Sequence, residues 1–246
     1  MTGRESDIDA RPVVTAGVLA LAAPILLNFS FLLLAASFDY PGVLEESGAR
    51  QLRDFHEHAA TISWQFGLLA LSAALLAPLA IYLGRYLGTA RFVRASVYLG
   101  IAAAVVQVIG LLRWPILVPG LADTATDAAK AAGERTDAVD TFNALGGILG
   151  TAIGETLGYL LTAAWTVLVI VALRERGLIG TVRTILGYAA AVLIVLGVLA
   201  ALGAPGADVA VFVGYILWSF WLIALGVTLL RKTRATTGQP VARVTV

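Results

Sequence analysis

The sequence has no cysteine, two histidines and a single methionine, and only 13% of its 246 residues are charged. Without cysteine there is no disulfide framework, thiol nucleophile or cysteine metal site. Lysine occurs only at Lys130 and Lys232, and the net charge is +1. Nucleic-acid binding needs a basic face, whereas the arginines here stand at segment ends, so no nucleic-acid partner is expected. Also missing are the phosphate-cradling Gly-x-x-x-x-Gly-Lys-Ser/Thr, the His-Glu-x-x-His pair and a dinucleotide fingerprint. No nucleotide-driven chemistry, cofactor or metal is expected from the chain. The pair His56 and His58 does not change this, because residues two apart on a helix point roughly 200° away from each other. They read as histidines at the membrane interface.

What the sequence has in abundance is apolar length. It is 59% hydrophobic with mean hydropathy +0.87, whereas a soluble domain carries about 25% charged residues. Apolar runs cover roughly 13–36, 60–83, 96–118, 151–173, 185–202 and 209–230, each near the ~20 residues that cross a bilayer as a helix. The expected fold is therefore all-α: a polytopic membrane helical bundle with six transmembrane helices over 13–232. The tails 1–12 and 233–246 read as disordered, and the first span as an uncleaved anchor. The bias toward Ala, Gly, Val, Leu and Arg suggests a GC-rich bacterial genome, hence a bacterial plasma (inner) membrane.

Orientation follows from lysine and arginine on the two sides of the spans. Twelve fall on the side of the termini, whereas Arg50, Arg53, Lys130 and Arg135 make four on the other. Both termini are thus expected in the cytoplasm. Arg113 is the one basic residue left inside a span. In the first connection, residues 43–58 carry Leu44, Leu52 and Phe55 at helical spacing, with Glu46/Arg50 and Arg53/Glu57 four apart as opposite charges. That predicts a short helix lying on the membrane surface. Residues 121–140 hold five acids against Lys130 and Arg135 and read as a solvated acidic loop, partly helical through its alanines.

Residues 142–173 carry the densest information. Gly146, Gly150, Gly154 and Gly158 recur every fourth residue, the small-xxx-small strip through which membrane helices approach closely, in this chain or to a homo-oligomer or membrane partner. Beside it, Glu155, Tyr159, Thr162 and Thr166 form one polar stripe, which would be costly against lipid and should face protein or a small hydrated cavity. Because the third and fourth spans are antiparallel and joined on one side, Arg113 and Glu155 should lie at similar depth and can pair as a fork and a carboxylate. Such a pair either locks two helices or lines an outward-facing cavity that binds a polar substrate or relays a proton, with Tyr159, Thr162 and Gln107 supplying hydrogen bonds deeper in. Weaker candidates are His58 and Gln65, which share a helical face with Thr61 and Ser72. Trp114 is a weaker candidate too, reading as an interfacial anchor beside Pro115, where the third helix should kink or end.

Asp39-Tyr40-Pro41, Leu111-Leu112-Arg113-Trp114-Pro115 with Val118-Pro119-Gly120-Leu121-Ala122, and Gly154-Glu155-Thr156-Leu157-Gly158 with Ala164-Trp165-Thr166 resemble a bacterial family of six-helix membrane proteins, domain of unknown function four-three-eight-six. The resemblance extends from the first span to the sixth. It implies an integral membrane protein and carries over no activity or cofactor. Three functions are compatible with the residues: a protein that binds or transports a small polar or lipid-like ligand at Arg113 and Glu155, a structural or accessory subunit acting through helix contacts, or an intramembrane enzyme using His56, His58 or Glu155 as acid or base.

Overall fold

The structure is a computed structural model that describes residues 5–237, with side chains described over 11–232. Every regular element among these residues is helical. Six stretches are long and apolar enough to cross a membrane: Arg11–Phe38, Ala59–Leu87, Val93–Thr126, Ala132–Glu175, Thr181–Leu202 and Ala207–Lys232. In lipid every backbone polar group must be satisfied within the chain, and the helix does this locally.

The first span is α1 (Glu5–Phe38). It begins within the tail expected to be disordered, since a helix once formed extends past its apolar run at little cost; residues 1–4 lie outside the described residues. A single 3-10 turn, Gly42–Glu45, leads to α2 (Gly48–Glu57). The second span is α3 (Ala59–Ala74) and α4 (Leu76–Leu87), the third α5 (Val93–Ile116) and α6 (Val118–Thr126), broken at Leu117 just beyond Pro115. The fourth is a continuous stretch of α7 (Ala132–Leu145), a π-helical segment Gly146–Leu157 and α8 (Gly158–Glu175). The fifth, α9 (Thr181–Leu196), ends in a 3-10 segment, Gly197–Leu202, and α10 (Ala207–Thr237) is the sixth. The tail expected to be disordered from 233 is helical to Thr237, and 238–246 lie outside the described residues.

Each span packs against the next in sequence and the sixth closes against the first, so the bundle is a ring of six. Its half nearest the termini is filled. Leu79, Leu83, Trp165, Ile170, Trp221 and Leu222 are at most 2% exposed there, and the Trp165 ring lies 6.2 Å from those of Trp218 and Trp221. At the opposite, distal end a second cluster joins Phe38, Phe55, Phe66, Trp114 and Phe142.

This distal cluster corrects two expectations. Trp114 is buried at 1% exposure, stacked on Phe66 at 4.8 Å and edge-on to Phe38 at 5.2 Å. It is the centre of an aromatic plug, where five apolar elements meet, and not an interfacial anchor. Helix α2 does not rest its apolar face on lipid either: Leu52 and Phe55 are fully buried in the same cluster. Its outer face carries Arg50 bonded to Glu46 at 3.1 Å and to Asp54 at 3.7 Å; the expected Arg53–Glu57 pair is not among the ion pairs of the described residues. The acidic connection is partly helical, as expected: α6 and α7 flank a short non-helical stretch over 127–131. The 44-residue fourth helix is roughly 66 Å long at 1.5 Å per residue, about twice a ~30 Å hydrocarbon core, so it extends well past a single bilayer crossing.

Candidate functional site

Between the two apolar clusters lies a cavity of ≈ 560 Å³, walled by the first, second, third, fourth and sixth spans. A glycine strip on the fourth span and the α5 face that packs into it set its shape. On α5, Gln107, Gly110 and Arg113 follow at i, i+3, i+6, and opposite them run Gly158, Gly154 and Gly150. A Cβ on Gly110 would meet the Gly154 Cα at 2.7 Å, one on Gly150 the Arg113 Cζ at 2.8 Å, and one on Gly158 the Gln107 Cγ at 2.9 Å. Three of the four strip glycines thus serve the contact with the third span, while Gly146 has open space around it.

The fourth helix is π-helical over the residues that line the cavity, with i→i+5 hydrogen bonds in place of i→i+4. Such turns are rare and concentrate at functional sites. Here the segment puts Gly150, Gly154 and Glu155 on the cavity wall, and Tyr159, just inside α8, follows them.

Arg113 and Glu155 both line the cavity, but they do not form the expected ion pair. The ion pairs among the described residues are Arg50 with Glu46 and Asp54, His56 with Asp123, and Lys130 with Glu134. Arg113 instead donates from Nη1 to the Gly110 carbonyl at 2.6 Å and lies 5.3 Å from the Trp114 ring centre. Its Nε is buried without a hydrogen-bond partner. The guanidinium lies over the bare Gly150 backbone, one π-turn distal of Glu155, and its charge-assisted bond to the Gly110 carbonyl one turn back along α5 holds it there.

Of the other predicted residues, Gln107 and Tyr159 line the cavity. Thr162 is fully buried beneath it and accepts from Gln107 Nε2 at 3.0 Å; Thr166, next on the stripe, accepts from Trp218 Nε1 at 2.9 Å. Gln65 is buried away from the cavity and accepts from Ser37 at 2.6 Å. His58 is exposed at the start of the second span, and His56 meets Asp123 at 3.1 Å. Ser72 is the member of that face which reaches the cavity.

Sequence reading missed four lining residues: Asn28, Tyr40, Asp208 and Tyr215. Asn28 donates to the Pro24 carbonyl at 2.7 Å and to Ser219 at 2.9 Å. Tyr40 stands in the turn after the first span and Asp208 in the first turn of α10, positions where a polar residue is ordinary and gives no signal. Burial above all, with a smaller push from the nearby Glu155 and an opposing pull from Arg113, moves the Tyr40 phenol up to about 12. It therefore faces the cavity as a neutral hydroxyl.

The wall can thus offer one guanidinium, two carboxylates, two carboxamides and three phenols to a guest, while Leu27, Phe31, Leu32 and Phe212 supply apolar surface. A site of a few placed polar groups in a largely apolar cavity of several hundred Å³ is the usual form of a small-molecule pocket. No curated protein and no solved structure matches the chain. Residues 15–226 match the family described as Domain of unknown function (DUF4386), and with six apolar helices spanning that stretch the chain belongs to this family of multi-pass membrane proteins.

Proposed function

We propose that the protein binds a small polar or lipid-like ligand in the cavity, with Arg113 and Glu155 as its charged contacts, in a bacterial plasma membrane with both termini in the cytoplasm. The observation that carries this reading is the pair of opposite charges that share one ≈ 560 Å³ cavity without bonding to each other. Charges inside a membrane protein are costly and occur where they pair or meet a ligand or ion. A guest that met both would relieve each. The orientation follows from the twelve basic residues on the side of the termini, and it places the cavity nearer the outer face.

The test is native mass spectrometry of protein extracted in mild detergent. Wild type should carry a bound small molecule or lipid that Arg113→Gln releases while the variant still unfolds cooperatively. Wild type that carries nothing, or a bound species indifferent to Arg113 and Glu155, would overturn the reading.

A further inference from the structure

The ligand's class can be read from how the cavity is bounded. At the end nearest the termini the first and sixth spans touch backbone to backbone: a Cβ on Gly226 would lie 2.8 Å from the Gly17 carbonyl oxygen. Half-way along, Asn28 and Ser219 bond at 2.9 Å. Distal of that bond, Leu32 and Ala35 on α1 and Asp208 and Phe212 on α10 line the cavity. Leu32 is 69% and Phe212 53% exposed, so these two form a rim that faces both the cavity and the bundle's outer surface. A side gap rimmed by exposed apolar side chains on two spans suits an acyl chain.

The polar wall adds a charge pattern. Glu155, Asp208 and Arg113 all line the cavity, which gives two carboxylates against one guanidinium. An anionic headgroup alone would satisfy Arg113 and meet repulsion from both carboxylates. A headgroup with a phosphate and an ammonium answers both, since charge-assisted hydrogen bonds are the strong ones. Arg113 has donors to give beyond the Gly110 bond, and Glu155 accepts no hydrogen bond from the described residues.

We infer that the cavity takes a zwitterionic amphiphile from the bilayer, its ammonium toward Glu155 and Asp208, its phosphate toward Arg113, and a chain leaving between the first and sixth spans past Leu32 and Phe212. This rests on the ligand-site reading above. A soluble zwitterion would offer the same headgroup chemistry without using the side gap.

The experiment compares wild type and variants reconstituted in nanodiscs of phosphatidylethanolamine and phosphatidylglycerol, with retained lipid measured by native mass spectrometry after transfer to detergent. Wild type should retain the ethanolamine lipid about tenfold better, the ratio that one charge-assisted contact supports. Glu155→Gln should abolish that preference and keep glycerol-lipid retention; Arg113→Gln should lower both. Asp208→Asn, a conservative change at an exposed position, should lower the preference in the same direction. Excess glycerophosphoethanolamine, a headgroup without chains, should fail to displace the lipid. Equal retention of the two lipids by wild type, a preference untouched by Glu155→Gln and Asp208→Asn, or displacement by the chainless headgroup overturns the inference. Equal retention that Arg113→Gln still abolishes would leave the ligand-site reading standing, whereas no retention of either lipid, together with no bound small molecule, would remove both.

Discussion

The guanidinium of Arg113 rests on the bare backbone of Gly150, where a Cβ would come within 2.8 Å of its Cζ. With Gly110 against Gly154 and Gln107 against Gly158, it makes the third and fourth spans meet as two interlocking strips. Charge, close packing and the cavity wall are therefore one structural feature, and substitutions along it should separate these contributions.

Gly110→Ala should be destabilising by about 1–3 kcal/mol, because the added methyl meets the Gly154 backbone and the helices must part. Gly150→Ala meets the far end of a flexible side chain and should cost less than about 1 kcal/mol, yet move Arg113 and reduce ligand retention. Gly146→Ala has open space and should be neutral or stabilise by roughly 0.5–1 kcal/mol. Thermal unfolding in detergent ranks the three, and a Gly146→Ala protein less stable than Gly110→Ala would contradict the packing described.

Because Arg113 and Glu155 are not bonded to each other, a double-mutant cycle of Arg113→Met and Glu155→Gln should show no rescue. Breaking one side of a buried ion pair costs about 3–5 kcal/mol, and removing the second partner recovers much of it. A coupling of that size in chemical unfolding would show that the two charges pair.

Thr162→Val keeps volume and removes the acceptor at 3.0 Å from Gln107, which retains its bond to the Ala103 carbonyl at 3.1 Å. The expected loss is about 1 kcal/mol, the usual scale of a single interhelical hydrogen bond in a membrane. Gln107→Leu with Thr162→Val should be less than additive, and full additivity in the same unfolding assay would deny the bond.

Trp114→Ala should destabilise the distal end by about 3–5 kcal/mol, because it removes the ring stacked on Phe66 and flanked by Phe38, Phe55 and Phe142. Since α2 buries Leu52 and Phe55 in that cluster, hydrogen exchange over residues 48–57 should rise in the variant. An unchanged exchange pattern there would mean that α2 is held by something other than the plug.

The sequence by itself determined the number of spans, their approximate limits and the inward side of the Glu155, Tyr159, Thr162 and Thr166 stripe. Hydropathy is a property of the chain read in order, and lipid enforces it locally because each helix must satisfy its own backbone. It also singled out Arg113 and Glu155 as the charges that needed explaining. Tertiary structure alone decided what those charges touch. The i→i+5 turns of Gly146–Leu157 shift the phase of the fourth helix, so depth counted along an ideal α-helix does not predict which side chains meet. The glycine strip could have faced another chain, and only the packing of α5 shows that Gly150, Gly154 and Gly158 are taken up within this one. Tyr40 reaches the cavity from the first connection, Asp208 from the start of α10 and Asn28 from the first span. Residues so far apart in sequence carry no mark of their meeting, because lateral neighbours in a bundle are chosen by how side chains fit and not by their order along the chain.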